Sequence, residues 1–240
     1  MGKIRLDELV VARGMAAGQD EARALIMAGQ MSGGGRLLDK PGLLVGSDLE
    51  LHLKAQARYV SRAGEKLASV AEALGLDFAG RTVLDVGSST GGFTDYALQN
   101  RAAKVYCVDV GTGQLAYKLR QDARVVVIER TDIRVAQLPE QADMAVMDVS
   151  FISLREVLEA TAALVWPGGE IVAMVKPQFE ASKAVADRYR GVIPVGPERD
   201  EILADLREWV SERFEILAEA DSGVSGSEGN VERFWLLRAK

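Results

Sequence analysis

The chain has little of the chemistry that marks several protein classes. Its 240 residues include one cysteine, Cys107, and one histidine, His52, which excludes an internal disulfide framework and leaves no His/Cys zinc cluster. With 6 Pro and 24 Gly in a chain that is 48% hydrophobic and 27% charged, a disordered, collagenous or low-complexity polymer is excluded as well. No uncharged apolar run approaches the roughly 20 residues that span a bilayer. The start, Met1-Gly2-Lys3-Ile4-Arg5-Leu6-Asp7-Glu8, is charged too early for a signal-peptide core, and Leu6 stands where N-myristoylation wants Ser or Thr. A cytoplasmic location is the expectation. Positive charge is also lacking: the net charge is −6. Residues 1–60 hold 8 Lys and Arg against 7 Asp and Glu, and the remainder holds 21 against 28. Neither part is a basic patch by composition, so any nucleic-acid reading must rest on motifs and local placement.

Two periodicities organise the sequence. In the first 30 residues, Leu6, Leu9 and Val10 share one helical face stopped by Gly14, and Ala22, Leu25 and Ile26 share another stopped by Gly29. Met31-Ser32-Gly33-Gly34-Gly35 reads as a turn-rich stretch, and the alternation at the end of Leu44–Leu53, which includes His52 on a surface position, reads as a half-exposed strand. Two helices feeding a small sheet make a small α+β domain over residues 1–58. Over residues 59–240 the pattern changes. A helical stripe, Leu67, Val70, Ala71 and Leu74, precedes short apolar runs at Thr82–Val86, Lys104–Asp109, Val125–Glu129, Met144–Asp148, Glu170–Val175, Phe214–Ala218 and Phe234–Leu237. Such runs between helical stretches predict buried parallel strands, hence a doubly wound α/β sheet with helices on both faces. Cys107 falls inside one of these strands and reads as a small buried hydrophobe.

The strongest local signal is Asp85-Val86-Gly87-Ser88-Ser89-Thr90-Gly91-Gly92-Phe93, a strand running through a glycine-rich turn into a helix. That is where an open α/β sheet holds a cofactor. Neither the dinucleotide G-x-G-x-x-G spacing nor a phosphate loop is matched, and Asp85 before the turn suits a cationic ligand better than a pyrophosphate. About 20 residues on, at the end of the second strand, Asp109 stands where a ribose diol is held, with Val110 beside it. After the third strand, Asp132-Ile133 can present an acceptor to an adenine amino group. Three carboxylates in register with three strands fit S-adenosylmethionine: a sulfonium cation, a ribose and an adenine, with no phosphate.

Five motifs in fixed order extend this reading: Val60-Ser61-Arg62-Ala63-Gly64-Glu65-Lys66-Leu67, Asp109-Val110-Gly111-Thr112-Gly113-Gln114-Leu115, Asp148-Val149-Ser150-Phe151-Ile152-Ser153-Leu154, Val175-Lys176-Pro177-Gln178-Phe179-Glu180 and Gly229-Asn230-Val231-Glu232. On these the chain resembles, over essentially its whole length, the TlyA (hemolysin A) family of ribosomal RNA 2'-O-ribose methyltransferases. The resemblance implies a Rossmann-like, FtsJ-like methyltransferase domain whose last strand is antiparallel. It also implies an amino-terminal small RNA-binding domain, S-adenosylmethionine as cofactor, no metal, and ribosomal RNA or a ribosomal subunit as partner. The family's catalytic Lys-Asp-Lys-Glu set falls on Lys66, Asp148, Lys176 and Glu232, with Asp148 also at the cofactor. Lys176 is the expected central lysine, Lys66 an aid to oxyanion stabilisation, and the two acids orient the ammonium groups.

The sequence departs from the family where RNA would be held. Gly18-Gln19-Asp20-Glu21 stands where Ser-Arg and a lysine are usual, and Ser32-Gly33-Gly34-Gly35 replaces Val-Asn-Gly. Phosphate-binding cations are thus thin on the small domain. RNA is expected to meet Arg5, Arg23 and Arg58 there, and Arg62, Arg188 and Arg190 near the methyltransferase face. Rival readings are an RNA-binding protein with a catalytically weak methyltransferase fold, a small-molecule methyltransferase, and a membrane-active protein, the last opposed by the lack of an amphipathic or apolar spanning segment.

Overall fold

A computed structural model describes residues 2–54, 57–226 and 229–240. The chain divides into two compact units, Met1–Ala57 and Arg58–Lys240.

The first unit runs β1 (Lys3–Arg5), α1 (Leu6–Ala12), α2 (Gln19–Met27), β2 (Met31–Gly33), β3 (Arg36–Leu37), β4 (Leu44–Gly46) and β5 (Leu51–Leu53). The apolar stripes of both helices meet in one core: Leu6, Leu9 and Val10 of α1 pack with Ala22 and Ile26 of α2 and with Met31, Leu38, Val45 and Leu51. The sheet differs from the sequence expectation. Met31–Gly33 is a strand, not a turn, and Leu44–Leu53 holds two strands in different sheets, β1-β4 and β3-β2-β5. The reason is local. Gly34 and Gly35, at φ +57° and +74°, form a two-residue left-handed connection that turns β2 directly into β3, and a turn at residues 47–50 breaks the later run. His52 pairs opposite Ser32 on the sheet, its side chain exposed.

The second unit contains α3 (Arg62–Val70), β6 (Thr82–Val86), α4 (Gly92–Gln99), β7 (Lys104–Val108), α5 (Tyr117–Arg120), β8 (Val125–Ile128), β9 (Ala142–Met147), α6 (Leu158–Ala163), β10 (Val165–Val175), α7 (Pro177–Glu180), α8 (Lys183–Arg188), α9 (Pro197–Arg213), β11 (Phe214–Asp221) and β12 (Arg233–Ala239). The seven strands form one sheet in the order β11-β12-β10-β9-β6-β7-β8. Neighbours from β10 to β8 are parallel, while β12 is antiparallel to both β10 and β11.

Alternation along the strands feeds two cores. Val83, Val105, Cys107, Met144, Val146, Val172 and Met174 face one side, against Leu67 and Val70 of α3 and Phe93, Tyr96 and Ala97 of α4. Leu84, Val86, Tyr106, Val108, Ala145, Met147, Ile171 and Ala173 face the other, against Leu158 of α6 and Leu206 and Val210 of α9. This two-faced burial makes the strands read as continuous apolar runs, and it sets their carboxyl ends along one edge.

Candidate active site

The turn after β6 is built around one close approach. Gly87 sits at φ +78°, and a Cβ there would lie 2.8 Å from the Asp148 carbonyl oxygen at the end of β9. Only glycine lets the two strand ends come together. Below the turn, Asp85 is buried. Its Oδ2 accepts from the Thr94 amide at 3.0 Å and from Thr94 Oγ1 at 2.6 Å, and its Oδ1 has no hydrogen-bond partner among the described residues. Burial, reinforced by the negative charges of Asp148 and Asp109, pushes the Asp85 carboxyl up to about 7. Thr94 Oγ1 also touches Cys107 Sγ at 3.0 Å, and burial pushes that thiol upward.

Three cavities lie along the strand ends, and Asp148 is a wall of all three. The second, about 480 Å³, is lined by Asp85, Gly87, Ser88, Ser89, Thr90, Gly92 and Phe93, with Ser61, Arg62 and Ala63 opposite. Gly91, at φ +95°, shapes this turn without lining the cavity. The third, about 380 Å³, is lined by Asp109, Val110, Asp132 and Ile133, with Val149, Phe151 and Ile152. Asp109 is set by two amides, Ser89 N donating to Oδ2 at 2.8 Å and Gly111 N to Oδ1 at 2.7 Å. Asp132 is engaged more fully than its sequence position suggested: Arg134 holds it at 2.6 and 3.0 Å and keeps its carboxyl down at about 2.

These residues fit S-adenosylmethionine. Among the described residues no Lys or Arg lines the third cavity, which suits a ribose and adenine and not a pyrophosphate. The unpartnered Asp85 oxygen beneath the second cavity offers an anionic partner for a cation.

The largest cavity, about 810 Å³, gathers Lys66, Asp148, Lys176 and Glu232. Lys66 on α3 donates to Glu232 Oε1 at 2.6 Å, its partner residue only 3% exposed. Among the described residues Glu232 Oε2 is buried without a partner. Lys176, at the end of β10, meets Asp148 Oδ1 at 2.5 Å and donates to Ser150 Oγ at 2.8 Å. The antiparallel run of β12 is what brings Glu232, at its start, to the same edge as the ends of β9 and β10. The four ionisable groups are thus two ammonium–carboxylate pairs in one cavity.

The arginines expected to meet RNA divide. Arg62 and Arg190 line the largest cavity. Arg62 donates to the Ser225 carbonyl, and Arg190 has no ion pair among the described residues. Arg188 faces Glu198 at 3.7 Å, and Arg58 lies over the Tyr59 ring at 5.1 Å. Arg5 and Arg23 are both spent inside the first unit: Arg5 holds Asp7 at 2.7 and 3.0 Å, and Arg23 reaches the same carboxylate at 3.2 Å. Asp7 is 0% exposed, and the Arg5 guanidinium holds its carboxyl down at about 2.

Sequence reasoning did not assign Ser150, Phe151, Gln178, Phe179, Glu180 or Asn230 to the site, although all lie inside the quoted motifs. Phe151 is 91% exposed at φ +62° and packs on Phe179 with ring centroids 5.0 Å apart. Asn230 is buried, accepting from Ile193 N and donating to the Gly191 carbonyl, both at 2.8 Å. Among the described residues no helix is long and apolar enough to cross a membrane.

The chain is similar to known proteins. The family described as FtsJ-like methyltransferase matches residues 59–240. A Bacillus subtilis protein named "Putative rRNA methyltransferase YqxC" is 41% identical over 236 residues, spanning 96% of this chain and 84% of that protein. The Mycobacterium tuberculosis protein named "16S/23S rRNA (cytidine-2'-O)-methyltransferase TlyA" is 38% identical over 244 residues, spanning 99% and 91%. A Streptococcus thermophilus structure solved as "Putative hemolysin" superposes with a TM-score of 0.73 at 37% identity, covering 100% of this chain and 90% of that one. The matched span carries every wall of the three cavities, and the chain belongs to the FtsJ-like methyltransferase family.

Proposed function

We propose that the chain transfers a methyl group from S-adenosylmethionine to a ribose 2'-hydroxyl of ribosomal RNA, free or in a ribosomal subunit. One observation carries the reading: the Lys66–Glu232 and Lys176–Asp148 pairs line a single cavity that shares Asp148 with the two cavities along the glycine turn. The names of the relatives, rRNA methyltransferases acting at a cytidine 2'-oxygen in one case, supply the substrate class. Such a substrate places the protein in the cytoplasm.

When bound, S-adenosylmethionine supplies an electrophilic methyl group on a positive sulfur. Asp109 would hold its ribose, Val110, Asp132 and Ile133 its adenine side, and Asp85 with Gly87–Phe93 its methionine end. A ribose hydroxyl is a weak nucleophile near neutral pH, so the protein must align it and stabilise negative charge on its oxygen. Lys176, fixed by Asp148 and Ser150, is placed to do both. As a neutral amine it accepts the hydroxyl proton, and the positive charge it gains stabilises the oxygen as negative charge develops there. Lys66 adds a second positive charge, oriented by Glu232. The rate then comes from prearranged charge in a shaped cavity.

The test has two parts. Ribose methylations in ribosomal RNA are mapped in cells with and without the gene, and a site should vanish with it. In vitro, Lys176→Ala should abolish transfer while leaving donor affinity nearly intact, because Lys176 acts at the transferred methyl and not on the bound donor. Turnover near wild type in that variant would sink the reading.

A further inference from the structure

Resting on that function, one more residue acquires a role. Parallel strands β9 and β10 pair up to Met147 opposite Ala173. Past that point β9 enters the loop of residues 148–154 and β10 runs through Lys176 into α7, and among the described residues no backbone hydrogen bond joins the two segments. Side chains join them instead, at three places. At the inner end Lys176 meets Asp148 and Ser150 at 2.5 and 2.8 Å. In the middle Phe151 packs on Phe179. At the outer end the Glu180 carboxylate takes two donors of the facing loop: Ser153 Oγ donates to Oε2 at 2.5 Å and Leu154 N to Oε1 at 2.8 Å.

The 148–154 loop needs such an anchor. Phe151, a bulky residue that is not glycine, sits at φ +62°, a conformation that persists only where its surroundings over-determine it. One side of that strained residue is fixed by the end of β9. The other is fixed at Ser153 and Leu154, where Glu180 closes the start of the short 3-10 helix Leu154–Glu156. Ser150 and Asp148, the partners of Lys176, lie on the strained stretch between these two anchors.

We infer that Glu180 is a positioning residue for methyl transfer: by clamping Ser153 and Leu154 it holds Asp148 and Ser150 on the Lys176 ammonium. Among the described residues Glu180 makes no hydrogen bond or ion pair with Lys66 or Lys176, and it acts through the loop. Its loss should therefore misplace Lys176 relative to the attacking hydroxyl while leaving the Asp85 and Asp109 sides of the donor site as they were.

The experiment compares the full-length wild type with Glu180→Ala, Glu180→Gln, Ser153→Ala and Lys176→Ala. Transfer is measured from S-adenosylmethionine to ribosomal subunits lacking the modification, with donor Kd by calorimetry and folding by melting temperature. Glu180→Ala should lower kcat about ten- to a hundredfold, the scale of a misplacement near 1 Å, with donor Kd moved less than about threefold. Glu180→Gln keeps an acceptor for Leu154 N and should recover most of the rate. Ser153→Ala, which deletes one of the two bonds, should fall between and decides the matter if Glu180→Ala does not fold. A kcat within about twofold of wild type in folded Glu180→Ala or, failing that, in Ser153→Ala overturns the inference. So does a loss shared equally by donor Kd and unrelieved in Glu180→Gln. An inactive Lys176→Ala beside a normal Glu180→Ala refutes this inference alone, whereas an active Lys176→Ala refutes the function on which it rests.

Discussion

Replacing Asp85 by Asn tests the electrostatics beneath the glycine turn. Asp85 is 1% exposed, and its carboxyl stands at about 7 against an ordinary value of 3.8. Because the folded-state value is raised, the folded protein holds its proton where the unfolded chain has released it. Folding is therefore unpenalised below about pH 4 and loses stability as pH rises through the window up to about 7. At about 1.36 kcal/mol per pKa unit, the full penalty above that window is about 4 kcal/mol, of which about 3 kcal/mol develops between pH 5 and pH 8. Asn keeps the shape, and its Oδ1 can accept both Thr94 bonds. Its amide must occupy the side where Asp85 Oδ1 has no partner, at a cost of about 1–3 kcal/mol that does not vary with pH. The assay is a set of paired melting curves from pH 5 to pH 8. The melting temperature of Asp85→Asn should climb relative to wild type across that range by about 6–12 °C, at roughly 2–4 °C per kcal/mol for a unit of this size. Donor affinity should show the counterpart. A cationic donor favours the ionised carboxylate, so wild-type affinity for S-adenosylmethionine should rise through pH 7 and that of the variant should not. A difference in melting temperature that stays flat from pH 5 to pH 8 would refute a buried, proton-holding Asp85.

Two further outcomes follow from the same geometry. Asp109→Ala removes the expected ribose acceptor and releases the amides of Ser89 and Gly111; calorimetry should show donor binding weakened by about 1–3 kcal/mol, and an unchanged affinity would take Asp109 out of the site. Replacing Arg5 and Arg23 together by Ala should lower the melting temperature of the first unit, because Asp7 is left buried without its partners while the half-exposed guanidiniums temper the loss. It should leave the salt dependence of RNA affinity nearly unchanged, whereas Arg190→Ala should flatten that dependence by about one unit of slope. Filter binding across a salt series separates the two, and a steep loss of slope in the Arg5/Arg23 variant would show that these cations do reach phosphate.

What the sequence discloses here follows the physics of the elements. All seven strands of the large sheet were legible as apolar runs, since residues such as Leu84 and Tyr106 on one face and Val83 and Val105 on the other are buried alike. The edge that holds Asp85, Asp109 and Asp148 was legible too, because parallel strands put their carboxyl ends together. The small sheets were not. Strands of two or three residues carry too few positions for a period, and Gly34-Gly35 turned a glycine-rich stretch into a hairpin. Pairing was hidden for another reason. That Lys66 meets Glu232 depends on how α3 packs against the sheet edge, a contact across 166 residues, and Glu180 reaches Ser153 across 27.

Charge was the least legible quantity, because a count of cations does not say which are already neutralised. Of the arginines expected to meet RNA, Arg5 and Arg23 share the buried Asp7 and Arg188 faces Glu198. Arg62 and Arg190 instead line the cavity that holds the two lysine–carboxylate pairs. A phosphate gains most from a cation that needs no prior separation from a carboxylate. Of the arginines expected to meet RNA, Arg190, without an ion pair among the described residues, is thus placed to draw a polyanion toward that cavity, whereas Arg5 and Arg23 are tied to the core of the first unit.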